Sequence, residues 1–236
     1  MTKPKPEIKP KPSGGEGKTG PDQKATDAIE KSWPSRSEQV LNTAMGVVLI
    51  YDAQRALATA KKLKGDYKAV LRAAGYWFEA ADQMGSANTA LFQATNNLGG
   101  FWDGPAYRSF SEYITRNGQV SDSNAAVLRE GGDQLLEVTK QILAAYDKAV
   151  DFTMEASSRV EGLVGNFDPS KEDKMTITVA LRDFVNNIFK TQMDLRNAIA
   201  TYQISAMSLR SKIGKLTPPS HLQDAARDPQ CWKFTR

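Results

Sequence analysis

The residue types that most often carry catalysis or bind metals are sparse in this chain. Its 236 residues include one histidine, His221, and one cysteine, Cys231, both near the C-terminus. A histidine-dependent triad or a histidine-rich metal site would have to be built from His221 alone, so neither is predicted. A single cysteine cannot form an internal disulfide. We interpret Cys231 as an incidental tail residue, the alternatives being a reactive thiol or an intermolecular link.

Other chemical motifs are equally weak. Residues 14–19 end in Gly-Lys-Thr but lack the first glycine of a phosphate-binding loop and any preceding strand. Glu79 with Asp82, or Glu112 with Glu130, could be proposed as general acid and base, but nothing separates them from solvated surface charge. The sequence therefore predicts a non-catalytic protein with no cofactor and no metal site.

Charge and hydropathy narrow the possible partners. The formal net charge is +4, and the basic residues of the helical segments alternate with acidic ones instead of lining one stripe. No apolar run approaches the roughly 20 residues of a membrane-spanning helix, and no apolar segment follows the basic N-terminus as a signal peptide requires. We expect no nucleic-acid binding, no stable membrane insertion and no ordinary secretory leader.

The elements that would position any site are helices. Residues 1–35 are rich in lysine, proline and glycine and are interpreted as a disordered tail, with Trp33 the point where it meets the folded body. Apolar residues then recur in alternating steps of three and four up to Leu98. The unbroken register favours one continuous, bent helix, with a break at Gly65 as the alternative. A Ser-x-x-Glu capping box, Ser35 with Glu38, is expected at its start.

Two further long helices complete the expected fold. One begins at Pro105 after Asp103, the expected N-cap, and extends to Leu163, with Gly118 and Gly131-Gly132 as candidate kinks. Because only a short turn joins them, the first two segments must be antiparallel neighbours. The predicted fold is all-α: a long antiparallel hairpin over 36–163, a packed third helix within 164–216, capped by Ser170 and Asp173, and a flexible tail over 217–236.

The turn of this hairpin carries the most informative motif. It reads Trp-x-Gly-x-Ala-x-x-x-Phe, formed by Trp102, Gly104, Ala106 and Phe110 between two amphipathic helices. Tryptophan at a hairpin tip either caps the helix ends with its ring or presents a recognition element, and the sequence leaves both interpretations open. On these residues the chain resembles the WXG100 (ESAT-6-like) superfamily over roughly residues 66–163.

The resemblance carries functional expectations. Such proteins are helical hairpins that pair with a helical partner or with themselves and are exported by type VII secretion machinery without a signal peptide. Export in that family usually needs Tyr-x-x-x-Asp/Glu after the second helix; here Tyr146 is followed by Asp151 at a spacing of five, a degenerate form at best. The resemblance thus implies a secreted or co-exported bacterial protein. The alternatives are a cytoplasmic chaperone or adaptor for a type VII effector, and an unrelated coiled-coil structural protein.

Overall fold

A computed structural model describes residues 31–165 and 169–214. Within these ranges the chain forms five helices and no strand: α1 (Ser35–Val47), α2 (Tyr51–Lys62), α3 (Tyr67–Leu98), α4 (Pro105–Val160) and α5 (Lys171–Lys212). The predicted all-α class is confirmed, as are the long hairpin and the additional packed helix. Residues 1–30 of the tail predicted over 1–35 lie outside the described residues, as do the tail predicted over 217–236, His221, Cys231 and the Gly-Lys-Thr segment.

The first predicted helix is in fact three helices. Gly65 adopts a φ of +52°, a left-handed conformation that glycine tolerates and that ends α2. Asp66 then caps α3, because its carboxylate accepts a 2.9 Å hydrogen bond from the Ala69 backbone N–H. A second break separates α1 from α2, where Val48 and Ile50 are extended. Both are β-branched, which disfavours a helix relative to a strand-like backbone. The expectation of one continuous helix was therefore wrong.

Of the two predicted capping boxes, the one at the start of α5 forms and the one at the start of α1 does not. The Ser170 backbone N–H donates to Asp173 Oδ2 and the Asp173 N–H donates to Ser170 Oγ, both at 3.0 Å, which completes the predicted capping box. The predicted box at Ser35 does not form, since Pro34 is the N-cap residue and makes no side-chain hydrogen bond. Glu38 instead accepts from Trp33 Nε1 at 2.6 Å and from Lys61 Nζ at 2.9 Å.

The described residues fall into two compact units. The first, the core unit, comprises residues 31–75 and 133–207 without 166–168. It is a helical bundle in which α1, α2, the C-terminal part of α4 and the N-terminal part of α5 share one apolar core. Leu41, Ala56, Val160, Leu181 and Ile188 have no exposed surface. Removal of this apolar area from water is the main source of stability for such a bundle.

The second unit, the tip unit, comprises residues 76–132 and 208–214. It contains the turn of the hairpin and the parts of α3 and α4 that flank the turn. Aromatic rings of α3 lie against glycines of α4: a Cβ added to Gly131 would come 2.6 Å from Trp77, and one added to Gly132 would come 2.9 Å from Phe78. At the candidate kinks Gly131 and Gly132, an aromatic ring of α3 therefore packs directly against the backbone of α4, and the two helices approach closely.

Candidate interaction surface at the hairpin tip

The turn between α3 and α4 is built by local hydrogen bonds and one unusual backbone angle. The Trp102 backbone N–H donates to the Leu98 carbonyl at 2.9 Å and closes the end of α3. Gly104 adopts a φ of +102°, which L side chains rarely adopt, so the motif needs glycine here. The predicted N-cap Asp103 is not the cap: its Oδ1 accepts the Gly104 N–H at 2.7 Å, and the Gly104 carbonyl accepts the first helical bond from Arg108.

The rings of the motif form a small aromatic cluster. Trp102 is half-buried, its ring centroid 6.0 Å from that of Tyr107 in an edge-to-face arrangement and 5.8 Å from that of Phe110. Tyr107 is buried, and its hydroxyl donates to the Thr95 carbonyl at 3.2 Å, which ties the start of α4 to the end of α3. These contacts give Trp102 a packing role, whereas Ala106 is exposed and contributes no ring contact.

The residue that the tip presents to solvent is the neighbour of the motif tryptophan. Phe101 is 95% exposed, the largest exposed fraction among the large apolar side chains of the described ranges. No helical pattern marks Phe101 in the sequence, although it lies between two glycines and a tryptophan in a loop, where an aromatic side chain has no helix face to bury it. Burial of this ring against another surface would contribute about 1.5–3 kcal/mol.

The part of α3 that leads to the tip carries no charged residue. From Gln83 to Trp102 the sequence contains no Asp, Glu, Lys or Arg, although a quarter of the whole chain is charged. Much of this segment is accessible: Leu91 and Leu98 are about two-fifths exposed, at 38% and 40%. Depletion of charge with exposed aliphatic and aromatic residues is the compositional signature of the centre of a protein–protein interface.

The residues of the degenerate export signal lie in the core unit, within α4. Tyr146 is 4% exposed, with its ring centroid 6.3 Å from that of Trp33. Asp151 is exposed and forms a 2.7 Å salt bridge with Lys31. The tyrosine ring is therefore held inside the bundle instead of standing on the surface beside the carboxylate, and the folded monomer does not display the two together.

Electrostatic interactions in the core unit hold the segment before α1. Hydrogen bonds from Lys61 and then from Trp33 lower the pKa of the Glu38 carboxyl below its usual value, which stabilises its charged form. The hydrogen bond with Asp151 raises the pKa of Lys31. Trp33, expected where the tail meets the folded body, packs against the apolar core and makes these contacts with its neighbours.

Of the two proposed acid and base pairs, Glu79 and Asp82 are neighbours three positions apart on α3, where Glu79 accepts a 3.1 Å hydrogen bond from Gln83, whereas Glu112 and Glu130 do not come together. Glu112 and Glu130 stand eighteen positions apart on α4, about 27 Å along the axis at 1.5 Å per residue. Asp82 is bound by Arg129 at 2.7 Å, and Glu130 by Lys212 at 3.1 Å. Within 31–165 and 169–214, no three His, Cys, Asp or Glu residues are grouped so that they could hold a metal ion.

One surface cavity in the core unit is large enough for a small molecule. It has a volume of about 320 Å³ and lies between α4 and α5. Arg159 at its edge binds both Glu155 and Asp183. The charged groups of this cavity are therefore already paired with each other.

Comparisons with protein-family models, with curated proteins and with solved structures find no match to this chain. No helix in the described part of the chain is both long and apolar enough to cross a membrane.

Proposed function

We propose that this chain acts by protein–protein binding through the tip of its helical hairpin, as a type VII secretion substrate or a partner co-exported with one. The observation that carries the proposal is the geometry of the Trp-x-Gly turn. Its tryptophan closes the hairpin against Tyr107 and Phe110, its glycine makes the positive-φ reversal, and Phe101 projects into solvent. The hairpin with Trp-x-Gly at its turn supports the proposal, because the resemblance to WXG100 proteins implies that layout.

The tip has the composition of a binding site for an apolar partner. An exposed aromatic side chain is a frequent anchor of binding energy when a partner supplies a pocket for it. Because α3 carries no charge from Gln83 onward, a partner lying along this helix needs no compensating charged groups there. The proposal therefore assigns to Phe101 the contact with a hydrophobic pocket or groove, and to Trp102 the positioning of the turn.

Burial of Tyr146 favours export through a partner. A receptor cannot read a tyrosine ring that is 4% exposed and packed near Trp33 without opening the bundle. We therefore place the recognised secretion signal on the partner. The same observation favours a second candidate function, a cytoplasmic chaperone or adaptor that binds a type VII effector and stays in the cell.

The test is recovery of partners from the native cell with tagged full-length protein. Phe101→Ala is expected to lose a helical partner or secretion components that the wild type recovers. Tyr51→Ala is the matched control, since Tyr51 is an aromatic residue 88% exposed elsewhere on the protein, and it should recover the same proteins as the wild type. Equal recovery by wild type and Phe101→Ala, or loss in both variants alike, contradicts a specific role for the tip.

The extracellular fraction separates the two candidate functions. Protein in that fraction that disappears when the secretion machinery is inactivated supports the substrate or co-exported partner. Protein found only in the cell, yet bound to an effector through Phe101, supports the adaptor.

A further inference from the structure

The last described residues of the chain run along α4 toward the turn of the hairpin. Lys212 Nζ lies 3.1 Å from Glu130 Oε1, and two residues later the Gly214 N–H donates to Asn124 Oδ1 at 2.8 Å. Asn124 Nδ2 in turn donates a 3.1 Å hydrogen bond to the Gly214 carbonyl. The contacts on α4 therefore move toward Pro105 as the chain proceeds, and the chain leaves Gly214 in the direction of the tip.

The side of α4 on which α5 ends continues toward the tip as a row of partly accessible side chains. Steps of four and three residues keep side chains on one side of a helix. Such steps lead from the buried Asn124 to four half-buried residues, which we name the α4 row: Val120, Asn117, Tyr113 and Phe110. A Cβ added to Gly214 would come 2.9 Å from Val120 Cγ1, so the α4 row begins where the described chain stops. Its other end is the ring of Phe110, which contacts Trp102.

We propose that the α4 row binds the segment that follows Gly214, residues 215–222, as an extended chain. This segment reads Lys-Leu-Thr-Pro-Pro-Ser-His-Leu. Two consecutive prolines cannot continue a helix and favour the polyproline conformation, and the residue before them is restricted to extended backbone as well. Proline-rich extended segments bind grooves lined by aromatic side chains. The α4 row offers two aromatic rings and a valine, so its chemistry fits this occupant.

The covalent connection at Gly214 fixes the register of this binding. A polyproline segment advances about 3.1 Å per residue, whereas a helix advances about 1.5 Å. Each residue of the segment therefore passes about two residues of α4, counted from the hydrogen-bonded pair of Gly214 and Asn124. In this register each apolar side chain of the α4 row meets an apolar residue of the segment: Val120 meets Leu216, Tyr113 meets Pro219 and Phe110 meets Leu222.

Cysteine cross-linking tests the proposal on purified full-length protein in a Cys231→Ser background. Ala106 is exposed one step beyond the α4 row, at the level along α4 that Gln223 reaches in this register. Arg108 is exposed as well, two residues away and on the opposite side of the helix. The protein with Ala106→Cys and Gln223→Cys is expected to form an intramolecular disulfide at least about 10-fold faster than the protein with Arg108→Cys and Gln223→Cys. Only a bound segment holds its cysteine on one side of α4.

Two outcomes of the cross-linking would overturn the proposal. Equal rates for the two cysteine pairs would show that the segment reaches both sides of α4 alike and is not bound to the row. Disulfide-linked dimers in place of cross-linked monomers would assign the α4 row to the segment of a second copy. Labelling of each helix cysteine with a small thiol reagent corrects the rates for differences in thiol reactivity.

Limited trypsin digestion supplies a second test, because Lys215 begins the segment. Tyr113→Ala removes the ring that meets Pro219 and should speed cleavage after Lys215 about 10-fold. Tyr76→Ala is the matched control, since Tyr76 is a tyrosine on α3 of the same unit and 68% exposed, and it should leave that rate unchanged. Cleavage after Arg129, inside α4, should stay slow in both variants and shows that the hairpin remains folded.

An unchanged cleavage rate after Lys215 in Tyr113→Ala, or the same increase in Tyr76→Ala, would contradict binding of the segment to the α4 row. The inference goes beyond the proposed function, because the α4 row takes a segment of this chain whereas Phe101 takes a partner. Both experiments use the purified protein alone, so their failure is distinguishable from a failure of partner binding at the tip.

Discussion

Replacing Gly118 by alanine is expected to destabilise the protein, although alanine is the better helix former. Gly118 lies inside α4, where a Cβ would come 2.6 Å from Phe92 Cε2 and 3.1 Å from Asn88 Oδ1. Asn88 cannot retreat freely, because it is buried and its amide donates to Asp122 at 2.9 Å. The added methyl group must therefore displace a ring or a hydrogen-bonded amide.

Two opposing contributions decide whether Gly118→Ala raises or lowers the free energy of unfolding. Alanine in place of glycine within a helix contributes about 0.8–1.0 kcal/mol of stability. Overpacking a close contact costs about 1–3 kcal/mol. The free energy of unfolding should thus fall by about 1 kcal/mol, which lowers Tm by about 2–4 °C in a protein of this size.

Gly85→Ala is the matched control, since Gly85 is also helical, belongs to the same tip unit and would place its Cβ with nothing within 4 Å. The free energy of unfolding of this variant should rise by up to about 1 kcal/mol, as measured by urea unfolding followed by circular dichroism. Shortening the ring with Phe92→Leu should then make Gly118→Ala less harmful, as a double-mutant cycle would measure. Stabilisation by both glycine substitutions to the same extent would refute the close approach of α3 and α4 at Gly118.

Three further outcomes can be measured by the same unfolding assays. Glu38→Gln should weaken the fall in the free energy of unfolding at acid pH. The lowered pKa of Glu38 contributes stability that is present above its unfolded pKa near 4.5 and is lost as pH falls through the folded value. Ser170→Ala should cost about 1 kcal/mol by removing an N-cap, whereas Ser35→Ala should cost little, because Ser35 caps nothing. Gly104→Ala should cost about 1–3 kcal/mol through strain at its positive φ, and an unchanged Tm would contradict that backbone geometry.

Sequence periodicity was sufficient for the helical class and for the position of the turn, because both depend on local signals, but it did not reveal the breaks that separate α1, α2 and α3. Pro105 starts α4 and Ser170 with Asp173 starts α5, each as a residue pattern predicts. The break at Gly65 was readable too: Gly-Asp combines a C-terminal glycine with an N-cap aspartate, but the heptad register across it outweighed that signal. Glu38 could not be assigned from sequence, since its partner Lys61 belongs to the next helix.

Which residues of α3 are buried and which are exposed could not be predicted from the sequence. The apolar pattern predicted up to Leu98 combined two neighbouring rows of α3. The structure buries the row that contains Ala81, Asn88 and Thr95 and leaves Leu91 and Leu98 exposed. Hydrophobicity alone would place the leucines inside. The inner row can be small and polar because rings such as Phe92 and Tyr107 fill the space against glycines, and because Asn88 and Thr95 find hydrogen-bond acceptors within the hairpin. Leu91 and Leu98 therefore stay partly accessible on α3, because rings and paired polar side chains already fill the interior of the hairpin.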